Sequence, residues 1–105
     1  MLIKKVNKGV IRVEKVKELF DLAMKVNEET EHDIFINISP HVKTLYLDIH
    51  YWGWSRGVPS DLEYRYSYKN DTITMHDEVY TLGKYIDYAE VKETLNGILR
   101  GDADV

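Results

Sequence analysis

An α+β fold is predicted for this chain: a four-stranded antiparallel meander, strand order 1-2-3-4, with an N-terminal and a C-terminal helix packed on one face. Three observations carry it. One segment near each end repeats apolar residues at three- and four-residue steps, whereas four segments between them alternate apolar with polar. The middle segments are joined by short connections, which favour neighbouring antiparallel strands in chain order. The clearest alternation, Leu62-Glu63-Tyr64-Arg65-Tyr66-Ser67-Tyr68, puts a row of tyrosines on one side and charge on the other.

Residues 1–12 read either as two short strands about the turn Asn7-Lys8-Gly9, where Gly9 tolerates positive φ, or as an extended arm. The first helix is expected from Val13 to about Asn27. Val13, Val16, Leu19, Phe20, Ala23 and Val26 make its apolar stripe, and the acidic Glu28, Glu29, Glu31 and Asp33 lie at or beyond its end. The first strand, Asp33–Ser39, turns Ile34, Ile36 and Ile38 one way and Phe35 and Asn37 the other. After the turn Ser39–Lys43, the strand Thr44–Tyr51 sets Leu45, Leu47, Ile49 and Tyr51 against Tyr46, Asp48 and His50. Trp52–Ser60, with two glycines and a proline, is a loop.

The tyrosine strand follows. Lys69-Asn70-Asp71-Thr72 is a hairpin turn, because Asn and Asp accept left-handed backbone. Thr72–His76 is the fourth strand. Asp77–Ile86 keeps no steady period and reads as a helical turn broken at Gly83. Asp87 with Glu90 resembles a capping box opening a second helix striped by Tyr88, Val91, Leu95, Ile98 and Leu99, and Gly101 can end it. Residues 1–101 form one domain, with 102–105 a disordered tail.

Aligning the apolar faces sets a register. Ile38 is expected opposite Leu45 and Ile36 opposite Leu47; Leu47 opposite Tyr66 and Ile49 opposite Tyr64; Tyr66 opposite Met75 and Tyr68 opposite Ile73. On the reverse face the same register lines up Asp48, Arg65 and His76, and pairs His50 with Glu63. The plainer reading of that polar face is a set of cross-strand charge pairs on the wet side of a sheet, each worth about 0.2–1 kcal/mol.

Composition narrows the function classes. The 105 residues carry 18 acidic and 14 basic side chains, a net charge of −4, which argues against a dedicated duplex-DNA binder. The absence of cysteine removes disulfides, thiolate metal sites and a cysteine nucleophile, and fits a cytoplasmic protein. No apolar run reaches membrane-spanning length, so no membrane association is expected. No motif calls for a metal or other cofactor. In texture, lysine- and glutamate-rich and cysteine-free, the chain resembles small accessory proteins of bacteria or their phages, with no motif carrying the likeness.

No nucleophile elbow, P-loop or Ser-His-acid arrangement is present, so no catalytic residue is named. The stronger lead is aromatic. Tyr51, Trp52, Trp54 and Arg56 lie at or in a loop longer than a hairpin needs, and Trp and Arg dominate binding hot spots. The expectation is a small non-catalytic protein-interaction module docking through that loop, with a protein partner or a second copy. Self-association through the exposed edge of the fourth strand belongs to the same class. One alternative is a single-stranded nucleic-acid-binding sheet. A further one is a small enzyme or ligand sensor using the polar face of Asp48, His50, Glu63, Arg65 and His76, centred on the Asp48–Arg65–His76 row.

Overall fold

The computed structural model describes residues 4–102, and side chains within the first helix from Arg12 onward. The elements are α1 (Lys4–Glu29), β1 (Asp33–Ser39), β2 (Thr44–His50), β3 (Leu62–Ser67), β4 (Thr72–His76), β5 (Lys84–Ile86) and α2 (Tyr88–Leu99). All neighbouring strands pair antiparallel, in the order β1-β2-β3-β4-β5. The architecture is therefore α+β with a five-stranded sheet, which corrects the expected four strands.

The fifth strand comes from the segment read as a broken helical turn. The Asp77 carboxylate accepts the Val79 and Tyr80 amides (2.9 and 2.7 Å) and starts a tight loop. Gly83, at φ +94°, brings the backbone so close to the His76 ring that a Cβ would lie 2.7 Å from it. The chain then runs back along β4, pairing Ile86 with Ile73 and Tyr85 with Thr74. β5 covers the edge of β4, so the proposed self-association through β4 has no free edge to use. The outer strands are β1 and β5.

α1 is the second correction. The sequence between Lys4 and Arg12, read as strands or an arm, is helix, and the structure runs through Gly9. Extending an existing helix needs no new nucleus, so one glycine, costing about 1 kcal/mol, does not stop it. Of the expected arm, residues 1–3 lie outside the described residues. α2 begins after Asp87, as expected. That side chain makes no cap hydrogen bond, and its backbone carbonyl takes the Glu90 amide instead (3.0 Å). Gly101, at φ +85°, closes the helix. Most of the expected disordered tail, 103–105, lies outside the described residues; the Asp102 carboxylate accepts from Arg100 Nε (3.0 Å).

One cluster makes the core. Ile34, Leu45, Leu47, Ile49, Tyr64, Tyr66 and Ile73 from the sheet meet Leu19, Ala23 and Val26 of α1 and Val91, Leu95 and Ile98 of α2. Tyr64 and Tyr66 thus belong to the dry side with the β1 isoleucines. Burial pushes the Tyr64 phenol up to about 12. Tyr66 satisfies its buried hydroxyl by donating to Asp71 Oδ1 (2.8 Å) in the β3–β4 turn, and Asp71 in turn accepts from Lys15 Nζ (3.0 Å). Lys15 and Tyr66 hold the Asp71 carboxyl below the usual range.

These bonds set the course of α1. Its earlier half is tied over the β3–β4 turn by Lys15 and by Arg12, whose guanidinium donates to the Lys69 carbonyl (2.8 Å). Its later half reaches the β1 edge, where the Asn27 carboxamide receives the Ile34 amide (2.6 Å) and donates to the Ile34 carbonyl (2.8 Å). Asn27 behaves there as one residue of a neighbouring strand.

The face of the sheet away from the helices carries Phe35, Asn37, Tyr46, Asp48, Glu63, Arg65, Thr74, His76 and Tyr85. The β1–β2 register is the expected one, with Ile38 opposite Leu45 and Ile36 opposite Leu47. The other two ladders keep the expected faces but shift by two residues. Tyr66 pairs with Leu45 and Ile73, and Tyr64 with Leu47 and Met75.

Candidate functional site

The two-residue shift rebuilds the polar face. Asp48 lies opposite Glu63, and Glu63 opposite His76; Arg65 sits in the next row, between Tyr46 and Thr74. The expected Asp48–Arg65–His76 row is therefore replaced by Asp48–Glu63–His76. Arg65 reaches back along its own strand to give Nε to Glu63 Oε1 (2.6 Å). Its guanidinium also lies 5.8 Å from the Tyr46 ring centre, within cation–π range.

Two carboxyls side by side divide one proton. Burial first, and then the neighbouring Glu63 carboxylate, push Asp48 up to about 6. Asp48 Oδ1 is buried with no hydrogen-bond partner. Burial works upward on Glu63 as well, but hydrogen bonds from Asp48 and Arg65 outweigh it and hold that carboxyl below its ordinary value. In structure this resembles a general acid–base pair, yet the histidine beside it is committed elsewhere. His76 Nε2 is 3.0 Å from the Thr74 hydroxyl and Nδ1 is 3.4 Å from the Thr81 carbonyl, so the ring ties the β5 loop to β4. His50, expected opposite Glu63 on this face, is buried at its end and packs on Phe35, ring centres 5.3 Å apart. Among the described residues no three His, Asp or Glu side chains could hold one metal ion.

The aromatic loop, Tyr51–Asp61 between β2 and β3, is built more deliberately. Two aspartates pin it, one at its base and one at Trp54. Asp61 accepts the Tyr51 amide (2.8 Å) and gives its own amide to the Ile49 carbonyl (2.9 Å), while Asp33 accepts the Trp54 amide (2.7 Å). Between them Trp52 stands at φ +62° and Gly53 at φ +101°. Left-handed backbone at a tryptophan costs about 1 kcal/mol or more and persists only where neighbours enforce it. His32 does so: it is 4% exposed, and its Nδ1 accepts the Trp52 amide (2.9 Å). The acceptor role requires a neutral ring with the proton on Nε2.

The turn at Trp52 ends the strand, so that residue does not continue the Tyr46–Asp48–His50 face as its position in the alternation implies. Its indole lies instead on His32, centres 4.4 Å apart, with Tyr51 edge-on to the same ring. Trp54 reaches the open face, 6.2 Å from Phe35. Both indoles stay half open, Trp52 at 58% and Trp54 at 50% exposure. Arg56 is exposed further along the loop. Tyr51 is half-buried against the core, and burial followed by Asp61 raises its phenol.

Sequence reasoning missed Phe35, His32 and Asp33 as parts of this site. Phe35 carried a signal, a large aromatic on the outward side of a strand. Asp33 read only as the last member of an acidic run and the start of the first strand, and His32 carried no signal. Beyond the loop, a groove of about 670 Å³ runs between Val58–Asp61 and the β4–β5 loop. Asp61, Glu63, Asp77 and Glu78 line it against the single cation Arg65.

No family model, curated protein or solved structure matches the chain. Among the described residues no helix is long and apolar enough to cross a membrane.

Proposed function

We propose that this chain is a non-catalytic protein-interaction module that docks through Trp54 and Phe35 at the corner of its open sheet face and through Trp52 on the adjoining turn. One observation carries the reading. Two half-exposed tryptophans are held on a strained turn by a buried histidine and an aspartate, an investment that packing alone does not require. Large aromatics presented on a rigid frame lose little entropy on binding and form the anchors of interfaces. Asp61, Glu63, Asp77 and Glu78, which line the groove further across the same face, favour a partner segment that is apolar at one end and cationic at the other. The same acids disfavour a nucleic-acid strand along this face, because one arginine does not offset them.

Capture of partners by the immobilised chain, repeated with Trp54→Ala, tests the reading. The variant is expected to lose a specific protein held by the wild type, and the purified pair to bind at least tenfold more weakly. An identical set of captured proteins with both baits refutes the loop site. An oligonucleotide held by the wild type, and released as salt rises, would favour the nucleic-acid alternative instead.

A further inference from the structure

We propose that the outer edge of β1, with the adjoining side of α1, is a two-fold interface between two copies of this chain. The surface adjoins the aromatic corner at Phe35, on the same strand, but its argument does not depend on the docking reading.

The backbone supplies the first argument. Asn27 shows that Ile34 turns its amide and carbonyl away from β2. Strand alternation turns those of Ile36 and Ile38 the same way, where no partner meets them among the described residues. Two free positions flanking Asn37 are self-complementary. About a two-fold axis at Asn37, Ile36 pairs with Ile38 of the partner subunit and Ile38 with Ile36 of the partner subunit. Pro40, which has no amide, and Asn27 limit the pairing to this short stretch.

Packing supplies the second. α1 crosses the sheet from the β3–β4 turn to the Ile34 end of β1, which leaves Ile38 at the other end uncovered. A groove of about 460 Å³ lies there, floored by Val13, Ile38 and Tyr68 and rimmed by Arg12, Lys17 and Lys43. On the side of α1 away from α2, Val13, Phe20 and Met24 are exposed at steps of seven and four. The two-fold operation lays the later half of one α1 over the Ile38 groove of the other copy, so each exposed stripe covers what the other leaves open.

Charge supplies the third and commits the occupant to a second copy. The groove rim is cationic, whereas the later part of α1 and its end carry Asp21, Glu28 and Glu29 against the one cation Lys25. An antiparallel arrangement brings each cationic rim to the partner's acidic end; a parallel one sets like against like.

Sedimentation equilibrium of the full chain tests this. The expected mass is twice the chain's 12.3 kDa, dissociating on dilution. Phe20→Glu and, separately, Met24→Glu are expected to give monomers whose thermal melt and circular dichroism show an intact fold. Lys17→Glu should weaken dimerisation about tenfold, and adding Glu28→Lys should regain most of the loss. A wild type monomeric up to about 1 mM overturns the proposal. So does a dimer that survives both glutamate variants, or one dissolved by Leu82→Glu beside β5 but not by Phe20→Glu.

Discussion

Replacing Asp48 with asparagine should stabilise the protein at neutral pH and leave it unchanged below about pH 4. Asp48 sits directly across the β2–β3 ladder from Glu63, and its Oδ1 is buried without a partner. Its carboxyl is displaced from the ordinary 3.8 to about 6. The native state therefore holds a proton that the unfolded chain releases between about pH 4 and 6. Stability falls as pH rises through that window, and the penalty is complete above it. A displacement of about two pKa units has a ceiling of about 3 kcal/mol, but the side chain is only part-buried and solvent screens it. About 1 kcal/mol is the expected net.

Asparagine keeps the shape and can donate its amide to Glu63 without carrying charge. Urea melts from about pH 3.5 to 8 would follow the difference. The two proteins should coincide near the acid end and separate to about 1 kcal/mol by about pH 7.5, a midpoint shift of roughly 0.5–1 M for a protein this small. A gain independent of pH would refute the proton-sharing argument. A loss of stability at neutral pH would show that the Asp48 charge is compensated by a cation, contrary to the pairing described.

Substitutions at two further positions test the bonds that steer α1. Asp71→Ala should cost about 2 kcal/mol in a denaturant melt, because the Tyr66 hydroxyl is left buried without an acceptor and the turn loses a residue suited to its φ of +58°; Asp71→Asn, which keeps an acceptor and tolerates that backbone, should cost under about 1 kcal/mol. Asn27→Ala should cost about 1–2 kcal/mol and speed hydrogen exchange at the Ile34 amide by at least tenfold, without a comparable effect at the Leu47 amide, which points into the sheet.

How far the sequence determines this fold depends on which regularity is asked. Alternation gives the two sides of each strand, so Ile34, Ile36 and Ile38 were placed with Tyr64, Tyr66 and Tyr68 from pattern alone. It does not distinguish offsets that differ by two, because such a slip returns every side chain to the same face. The offset is chosen by the connections. Where the β1–β2 turn was read at its true length, the register came out right. Tyr68 belongs to the β3–β4 turn, which moves the β3–β4 ladder. The β2–β3 ladder moves because the long loop closes with the Asp61 amide on the Ile49 carbonyl (2.9 Å), and the Tyr68 amide on the Lys43 carbonyl (3.0 Å) continues that register. The polar row inherited the shift, which put Glu63 where Arg65 was expected. β5 was illegible for a different reason: three residues are too few to show a period, and its place depends on Gly83 passing the His76 ring. At the aromatic loop, Trp52 and Trp54 stood out by residue type, whereas His32 and Asp33 act through backbone amides twenty and twenty-one residues away, a relation no local pattern records.

The two surfaces of this small protein follow from one asymmetry. Both helices lie on the same side of the sheet, so the other side meets water and has to be polar, as Asp48, Glu63, Arg65 and Thr74 are. Phe35 and Trp54 break that rule at one corner, and the rule-breaking residues are those whose backbone or neighbours are pinned. On the helix side, α1 crosses the sheet at a slant and so cannot cover all of β1. It protects the edge at Ile34 with a side-chain amide and leaves it open at Ile38. An unprotected strand edge is a hazard for a monomer and is normally blunted by charge, proline or a short strand. Here Asn27 blocks one end, Pro40 lies just past the other, and what remains is a short, apolar, self-complementary step. Such an edge is suited to one defined pairing rather than to open-ended growth, because the stop at either end denies a third strand a continuous ladder.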